Sequence, residues 1–205
     1  VFLNPDAFLQ PRCIAELVRE IENRPVPTIV GGRVLNSDLT EQRGARRGDI
    51  TLMSAILSLS RLAGKVPALR RYEVHWEGEP APDQATAVPT ISGACFCLRR
   101  EDFDCLQGFD EKYFLHVEDV DLCWRVRQMG GRVLFHPKAE VIHLGHTSLT
   151  SPLRVEFHKG VGLARYFRKR AVGVSQNLTA WLLSPVVVGA AVLRPMIWRF
   201  RGRAG

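Results

Sequence analysis

Apolar residues fall at Ile14, Leu17, Val18 and Ile21, the i, i+3, i+4, i+7 spacing of one helix face, with Pro11 where a first helical turn tolerates it. This predicts an amphipathic helix over residues 11–23. Ahead of it, Val1-Phe2-Leu3 reads as a strand already under way. Behind it, Thr28–Leu35 is β-rich and stops at the turn-forming Asn36-Ser37-Asp38. Strand, helix, strand predicts a parallel sheet in an α/β fold. Asp49 stands where it would cap a second helix running to about Leu62, with Ile50, Met53, Ile56 and Leu57 on one side.

Residues 64–90 contain four Pro and two Gly, which predicts an irregular insertion with one short strand near 72–76. Residues 90–98 read as a single buried strand rich in the small residues Ser92, Gly93 and Ala94. Residues 99–106 read as a short helix closed by Gly108. A helix over 118–129 opens on acidic residues and is followed by Gly130-Gly131, both favourable placements. Two short strands, 132–135 and 140–144, are expected on either side of a turn at Pro137. Pro152–Arg170 reads as a basic helix. The stretch 178–193 has no charge, but its 16 residues fall short of the roughly 20 that a span requires. Trp181 and Trp198 at its ends, with Arg199, Arg201 and Arg203 beyond, suit an interfacial anchor.

Composition is that of an ordinary globular domain: 205 residues, 46% hydrophobic and 24% charged. The net charge of +7 is unevenly spread. Residues 1–150 carry 18 Lys/Arg against 20 Asp/Glu, whereas 151–205 carry 10 Lys/Arg against the single acid Glu156. That split predicts two regions, a near-neutral part over 1–150 and a basic helical extension over 151–205. A basic segment beside an apolar one fits an anionic membrane face. Basic residues are not interleaved with aromatics in a nucleic-acid-reading motif, so no nucleic-acid partner is expected. The five Cys are odd in number and form no CxxC pair; Cys95 and Cys97 share one side of a strand and read as reduced core thiols.

Three groups of residues could carry chemistry. Asn4-Pro5-Asp6 follows an apolar strand, where α/β folds place ligands, and Asp6 could hold a hard divalent ion; the same tripeptide is also a good turn. Glu118, Asp119 and Asp121 share the first turn of a helix, whose N-terminus favours negative charge, so they are either a base or an acidic cap. Asp121 and Arg125 stand at i and i+4 and can pair. His143, on the run Val141-Ile142-His143-Leu144, could complete a metal site with Asp6 or be a satisfied core histidine; His146 is a weaker candidate. Gly108-Phe109-Asp110-Glu111 reads as a turn whose Phe109 enters the core, leaving Asp110 to face the loop or a cleft.

The run from Ser92 through Phe103, then Gly108-Phe109-Asp110-Glu111, Phe114-Leu115 and Glu118-Asp119-Val120-Asp121-Leu122 with Arg125 and Gly130, resembles glycosyltransferase family 2, closest to its bacterial rhamnosyltransferase-like branch. Leu3-Asn4-Pro5-Asp6 and Ala139-Glu140-Val141-Ile142-His143 follow in the family's order, and the likeness covers roughly residues 1–170.

The resemblance implies a GT-A-like α/β fold, a mixed and mostly parallel sheet flanked by helices. It also implies that a βαβ nucleotide-binding half precedes residue 1, so this chain alone would be inactive. Asp119 would be the general base. Glu118, Asp121, Arg125 and Asp110 would face the acceptor. Asn4, Asp6, Ser92, Gly93 and Ala94 would line the donor, with Asn4 in the place of the family motif's first acid. Asp6 and His143 would bind Mg²⁺ or Mn²⁺. The implied partners are a nucleotide-diphosphate sugar, with dTDP-rhamnose favoured, and a glycan or lipid-linked acceptor. The implied setting is the inner face of a bacterial plasma membrane, in cell-surface polysaccharide synthesis with inversion. A transferase-like scaffold without catalysis and a metal-dependent hydrolase are the competing readings.

Overall fold

In chain order the elements are β1 (Phe2–Leu3), β2 (Ala7–Leu9), α1 (Cys13–Ile21), β3 (Thr28–Leu35), β4 (Arg46–Arg47), α2 (Leu52–Leu59), a 3-10 helix (Pro67–Tyr72), β5 (Thr86–Ala87), β6 (Thr90–Ile91), β7 (Cys95–Leu98), α3 (Arg100–Cys105), α4 (Glu118–Gln128), β8 (Arg132–His143), α5 (Pro152–Arg170) and α6 (Gly173–Arg201). The structure, a computed structural model, describes all residues except Asn23, 60–65, 146–149 and 202–205, and the side chains of Leu59 and 194–201. The expected helix end at Leu62, the histidine His146 and the anchor side chains Trp198, Arg199, Arg201 and Arg203 therefore lie outside the description.

The chain divides into two compact units. One comprises Val1–Asp49, His75–Asp110 and Asp119–Ser148; the other comprises Ile50–Val74, Glu111–Glu118 and Leu149–Gly205. The division is thus not a single cut near residue 150: two internal segments group with the C-terminal helices.

The first unit holds a six-stranded mixed sheet in the order β1-β7-β3-β8-β2, with β5 also pairing with β8. The expected strand directions are present, but the sheet is not mostly parallel. β1 and β3 run the same way because each pairs antiparallel with β7, which lies between them. Among the described residues only β3 and β8 form a parallel pair; β2 and β5 add to β8 antiparallel. A strand–helix–strand pattern fixes direction and says nothing of a third strand inserted from later in the chain.

Alternation along the strands feeds two cores. Cys95, Cys97, Val30, Val34, Leu134 and Val141 meet Cys13, Leu17 and Ile21 of α1 on one face. Phe96, Leu98, Ile29, Val133 and Phe135 meet Leu122, Cys123 and Val126 of α4 on the other. Phe2 stacks on Phe96 with ring centroids 4.8 Å apart, Phe103 packs tilted against Phe2, and Phe109 packs edge-on against both Phe2 and Phe96, so Phe109 enters the core as its turn predicts. The five cysteines are all free thiols, four of them buried. Burial pushes the Cys123 thiol up to about 12, because no charge on it could be solvated.

Several boundaries differ from the sequence reading. Residues 90–98 form two strands, broken at Ser92-Gly93-Ala94. Residues 132–143 form one strand, not two. Its register against β3 jumps from Gly32↔His136 to Arg33↔Glu140, so Pro137, Lys138 and Ala139 bulge out and the missing proline N–H costs no ladder bond. Around 72–76 there is only an isolated bridge, Arg47↔His75, following the 3-10 helix. Helix α2 is capped by Thr51 and Ser54, whose side chains bond reciprocally to each other's backbone N–H at 3.1 and 2.9 Å. Asp49 instead pairs with Arg127 at 2.8 Å.

In the second unit α5 and α6 pack antiparallel. Gly160 of α5 permits close approach, since a Cβ there would lie 2.9 Å from the Val188 Cα. Ser151 caps α5 by accepting the Arg154 N–H at 3.3 Å, with Pro152 in the first turn.

Candidate active site

The parallel-running strands β1, β3 and β8 end at Leu3, Leu35 and His143, so their carboxyl ends lie along one edge of the sheet. The turn after β1 is closed by the Ala7 N–H donating to the Asn4 carbonyl at 3.1 Å, with Pro5 at its second position. The turn leads into β2, whose Ala7 pairs with His143. The Leu144 N–H donates to the Asp6 carbonyl at 3.1 Å. A two-strand antiparallel clasp therefore brings Asp6 to His143 across 137 residues of sequence.

The orientation of the imidazole is fixed by Gln42, which the sequence reading did not single out. The Gln42 amide nitrogen donates to the His143 carbonyl at 3.1 Å and to the Asn36 side-chain oxygen at 3.2 Å. Its oxygen therefore faces His143 Nδ1, at 2.7 Å, and accepts from it. With the proton on Nδ1, the lone pair of Nε2 points at Asp6 Oδ1, 3.1 Å away, and at the Asn4 amide, 3.2 Å away. An imidazole nitrogen and a carboxylate oxygen at this spacing can share a proton or a cation. Adjacent ligands of an octahedral ion with bonds of about 2.1 Å lie about 3.0 Å apart, so the pair fits Mg²⁺ or Mn²⁺. Among the described residues no group of three or more His, Cys, Asp or Glu is placed to hold a metal ion by itself. Any ion here would complete its shell with waters or phosphate oxygens, the usual habit of Mg²⁺.

Asp119 lies in the first turn of α4 and accepts from three donors. Its Oδ2 accepts from Arg47 Nη2 at 2.5 Å and from the Gly93 N–H at 3.1 Å, and its Oδ1 accepts from the Val120 N–H at 2.8 Å. Arg47 also donates to the Ile91 carbonyl at 3.0 Å, which ties the guanidinium to the sheet edge. Like Gln42, Arg47 was missed by the sequence reading. It is one of many arginines, and only the pairing of β4 with β6 brings it here.

Ser92-Gly93-Ala94 joins the two groups. The Ala94 carbonyl accepts the Asn4 N–H at 2.9 Å, while the Gly93 N–H holds Asp119. Ser92 donates through its N–H to the Ala45 carbonyl at 3.0 Å, and its hydroxyl accepts the Ala94 N–H at 3.2 Å. A Cβ on Gly93 would sit 3.3 Å from the Asp119 Cβ, so any larger residue would press on the carboxylate. Asp6, His143 and Asp119 thus lie along one edge of one compact unit.

The other expected site residues divide. Asp121 is 0% exposed and pairs with Arg125 at 2.7 Å, as the i, i+4 spacing predicts. Arg125 in turn donates to the Leu106 and Gly108 carbonyls at 2.5 and 2.8 Å. These two residues clamp the turn that carries Phe109; a carboxylate with no surface cannot touch an acceptor, so the acceptor-side expectation is corrected to a structural one for Asp121, while the Arg125 side chain remains 16% exposed. Asp110, next to that turn, is half-buried, and Glu118 opens α4.

The fold and this edge define an α/β protein with a mixed, helix-flanked sheet and a cluster of acid, imidazole and amide groups at its carboxyl end. The model of the glycosyltransferase-like family 2 matches residues 1–159, and the chain belongs to that family, whose GT-A-like fold accounts for the architecture. Among curated relatives, it is 45% identical over 56 residues to the N-acetylglucosaminyl-diphospho-decaprenol L-rhamnosyltransferase of Mycobacterium tuberculosis, covering 27% of this chain and 18% of that one. It is 38% identical over 61 residues to the rhamnosyltransferase WbbL of Escherichia coli, covering 30% and 23%. It is 30% identical over 182 residues to the pre-mycofactocin glycosyltransferase of M. tuberculosis, covering 80% and 38%. The chain thus spans well under half the length of these relatives. A solved structure of GalNAc-T7 with UDP, GalNAc and Mn²⁺ aligns at a TM-score of 0.45 and 18% identity, covering 82% of this chain and 33% of the other.

Proposed function

We propose that this chain supplies the metal and acceptor side of an inverting sugar transferase. The transferase would move a sugar, rhamnose in the first instance, from a nucleotide-diphosphate donor to a glycan or lipid-linked acceptor. The observation that carries this reading is the Asp6–His143 pair, its imidazole locked by Gln42, on the same sheet edge as Asp119. The names of the rhamnosyltransferase relatives support the sugar, and the decaprenol-linked saccharide in one of them supports a lipid-linked acceptor; the setting we infer from these is bacterial cell-surface polysaccharide synthesis at the inner face of the plasma membrane.

In this reading Asp6 and His143 would hold Mg²⁺ or Mn²⁺, with Asn4 beside them on the donor side. A divalent ion bound there offsets charge developing on the departing diphosphate. The half-buried Ser92 and Gly93 would lie against the donor sugar, with Ala94 buried behind them. Asp119 takes the proton of the acceptor hydroxyl as that oxygen attacks the anomeric carbon; one base suffices because inversion forms no covalent sugar–enzyme intermediate. Arg47 and the Gly93 N–H hold the Asp119 carboxylate in place, so that its position does not depend on substrate. Glu118 and Asp110 stand near the ends of segments that would frame the acceptor.

Product analysis tests the reading. The complete protein that carries this sequence, given dTDP-rhamnose and a lipid-linked acceptor, should yield a new glycoside of inverted anomeric configuration. Free sugar as the sole product would make it a hydrolase. No turnover with any nucleotide sugar would leave a scaffold and end the proposal.

A further inference from the structure

Helix α6 presents an apolar face to solvent. Val174 is 86%, Leu182 67% and Trp181 62% exposed, and Leu178, Val186 and Leu193 are exposed with them, all on one side of the helix. The opposite side, Ala180, Ser184, Val187 and Ala191, is buried. An apolar stripe of this length on a soluble surface marks a contact with lipid or protein. Charge chooses between them: after Glu156 the sequence holds nine Lys/Arg and no acid, which complements an anionic surface.

By length and composition Gly173–Leu193, 21 residues, could cross a bilayer. Its packing argues otherwise. The Arg168 guanidinium of α5 stacks 4.3 Å over the Trp181 ring and donates to the Ser184 hydroxyl at 3.3 Å. Trp181 and Ser184 are midway along the stretch, so a crossing helix would carry Arg168 to the bilayer centre, where a cation is costly. Laid flat, the same contact puts Arg168 at the level of the headgroups, beside a tryptophan suited to that boundary.

We propose that α6 lies in the plane of an anionic membrane surface, its Val174–Leu178–Trp181–Leu182–Val186–Leu193 face in the outer acyl region and α5 on the water side. This deepens the membrane setting of the proposed function by naming the face and the mode of contact, and it does not depend on which sugar is transferred.

Vesicle flotation of the full chain tests it. Mixed phosphatidylcholine and phosphatidylglycerol vesicles should carry the protein, and phosphatidylcholine alone should bind at least about tenfold more weakly. The Leu178→Glu/Leu182→Glu variant, altered only at exposed positions and checked for an unchanged circular dichroism spectrum, should lose binding to the mixed vesicles by a similar factor. Environment-sensitive labels on cysteines introduced singly at 174, 182 and 193, in a Cys105→Ser background, should report one shallow depth and equal access to an aqueous quencher. A deep label at 182 with the ends on opposite leaflets would establish a span and overturn the proposal. Equal binding to neutral vesicles would overturn it, as would self-association that the double variant abolishes without any vesicle binding. Sugar transfer to a water-soluble acceptor, measured in parallel, separates the two readings. Transfer without vesicle binding defeats only the docking, and vesicle binding without transfer defeats only the enzyme.

Discussion

At the scale of single residues, the site depends on side chains that set the state of others. Gln42 decides which nitrogen of His143 carries the proton and so leaves Nε2 available beside Asp6. Partners of this kind commonly contribute 10–100-fold to metal affinity. Gln42→Leu should weaken Mn²⁺ binding by about that factor, read by Mn²⁺ electron paramagnetic resonance, while leaving the melting temperature little changed. His136 offers a second test. It is buried, and burial lowers its pKa below the ordinary histidine value, outweighing the opposing pull of Glu16. The folded protein therefore binds this proton less readily than the unfolded chain, so stability is full above the ordinary histidine range and falls as pH drops through it. Denaturant unfolding between pH 7 and 5 should show that loss, and His136→Gln should flatten it.

Among secondary-structure elements, two glycines in β3 admit neighbouring parts of the fold. A Cβ on Gly31 would lie 2.6 Å from the Ile91 Cβ, and one on Gly32 would lie 2.7 Å from the Ala139 carbonyl oxygen. Gly31 lets β6 approach the sheet just ahead of Ser92-Gly93-Ala94. Gly31→Val should destabilise the protein by about 1–3 kcal/mol, as overpacking does, measured by urea unfolding, and should reduce donor binding because the 92–94 segment is displaced.

This level also shows what could be read in advance. The α1 periodicity, β3 and α5 emerged from sequence at nearly their final boundaries, because helix spacing, β-rich runs and a Ser-Pro cap are local signals. β2 was not anticipated, since three residues carry no period, yet this strand is what delivers Asp6 to His143. The insertion of β7 between β1 and β3, and the bulge that makes β8 one strand, are long-range pairings that local pattern does not encode. Asp6, Asp119 and His143 could be singled out by chemistry and resemblance. Arg47 and Gln42 could not, because their importance arises only from where the folded sheet puts them.

Across the whole chain, charge and structure divide along related lines. The mixed sheet bears the acids and imidazole of the site, and the C-terminal helices hold most of the excess positive charge. Family membership accounts for the sheet and its edge. The central claim is that this edge performs sugar transfer, with Asp119 as its base. The most direct measurement is the turnover of the complete protein against its Asp119→Asn variant, with nucleotide sugar and acceptor saturating. A positioned base is worth about 10²–10⁴-fold, so kcat should fall by that factor while the melting temperature and Mn²⁺ affinity stay near those of the unaltered protein. A variant that retains its rate within a few-fold would contradict the account.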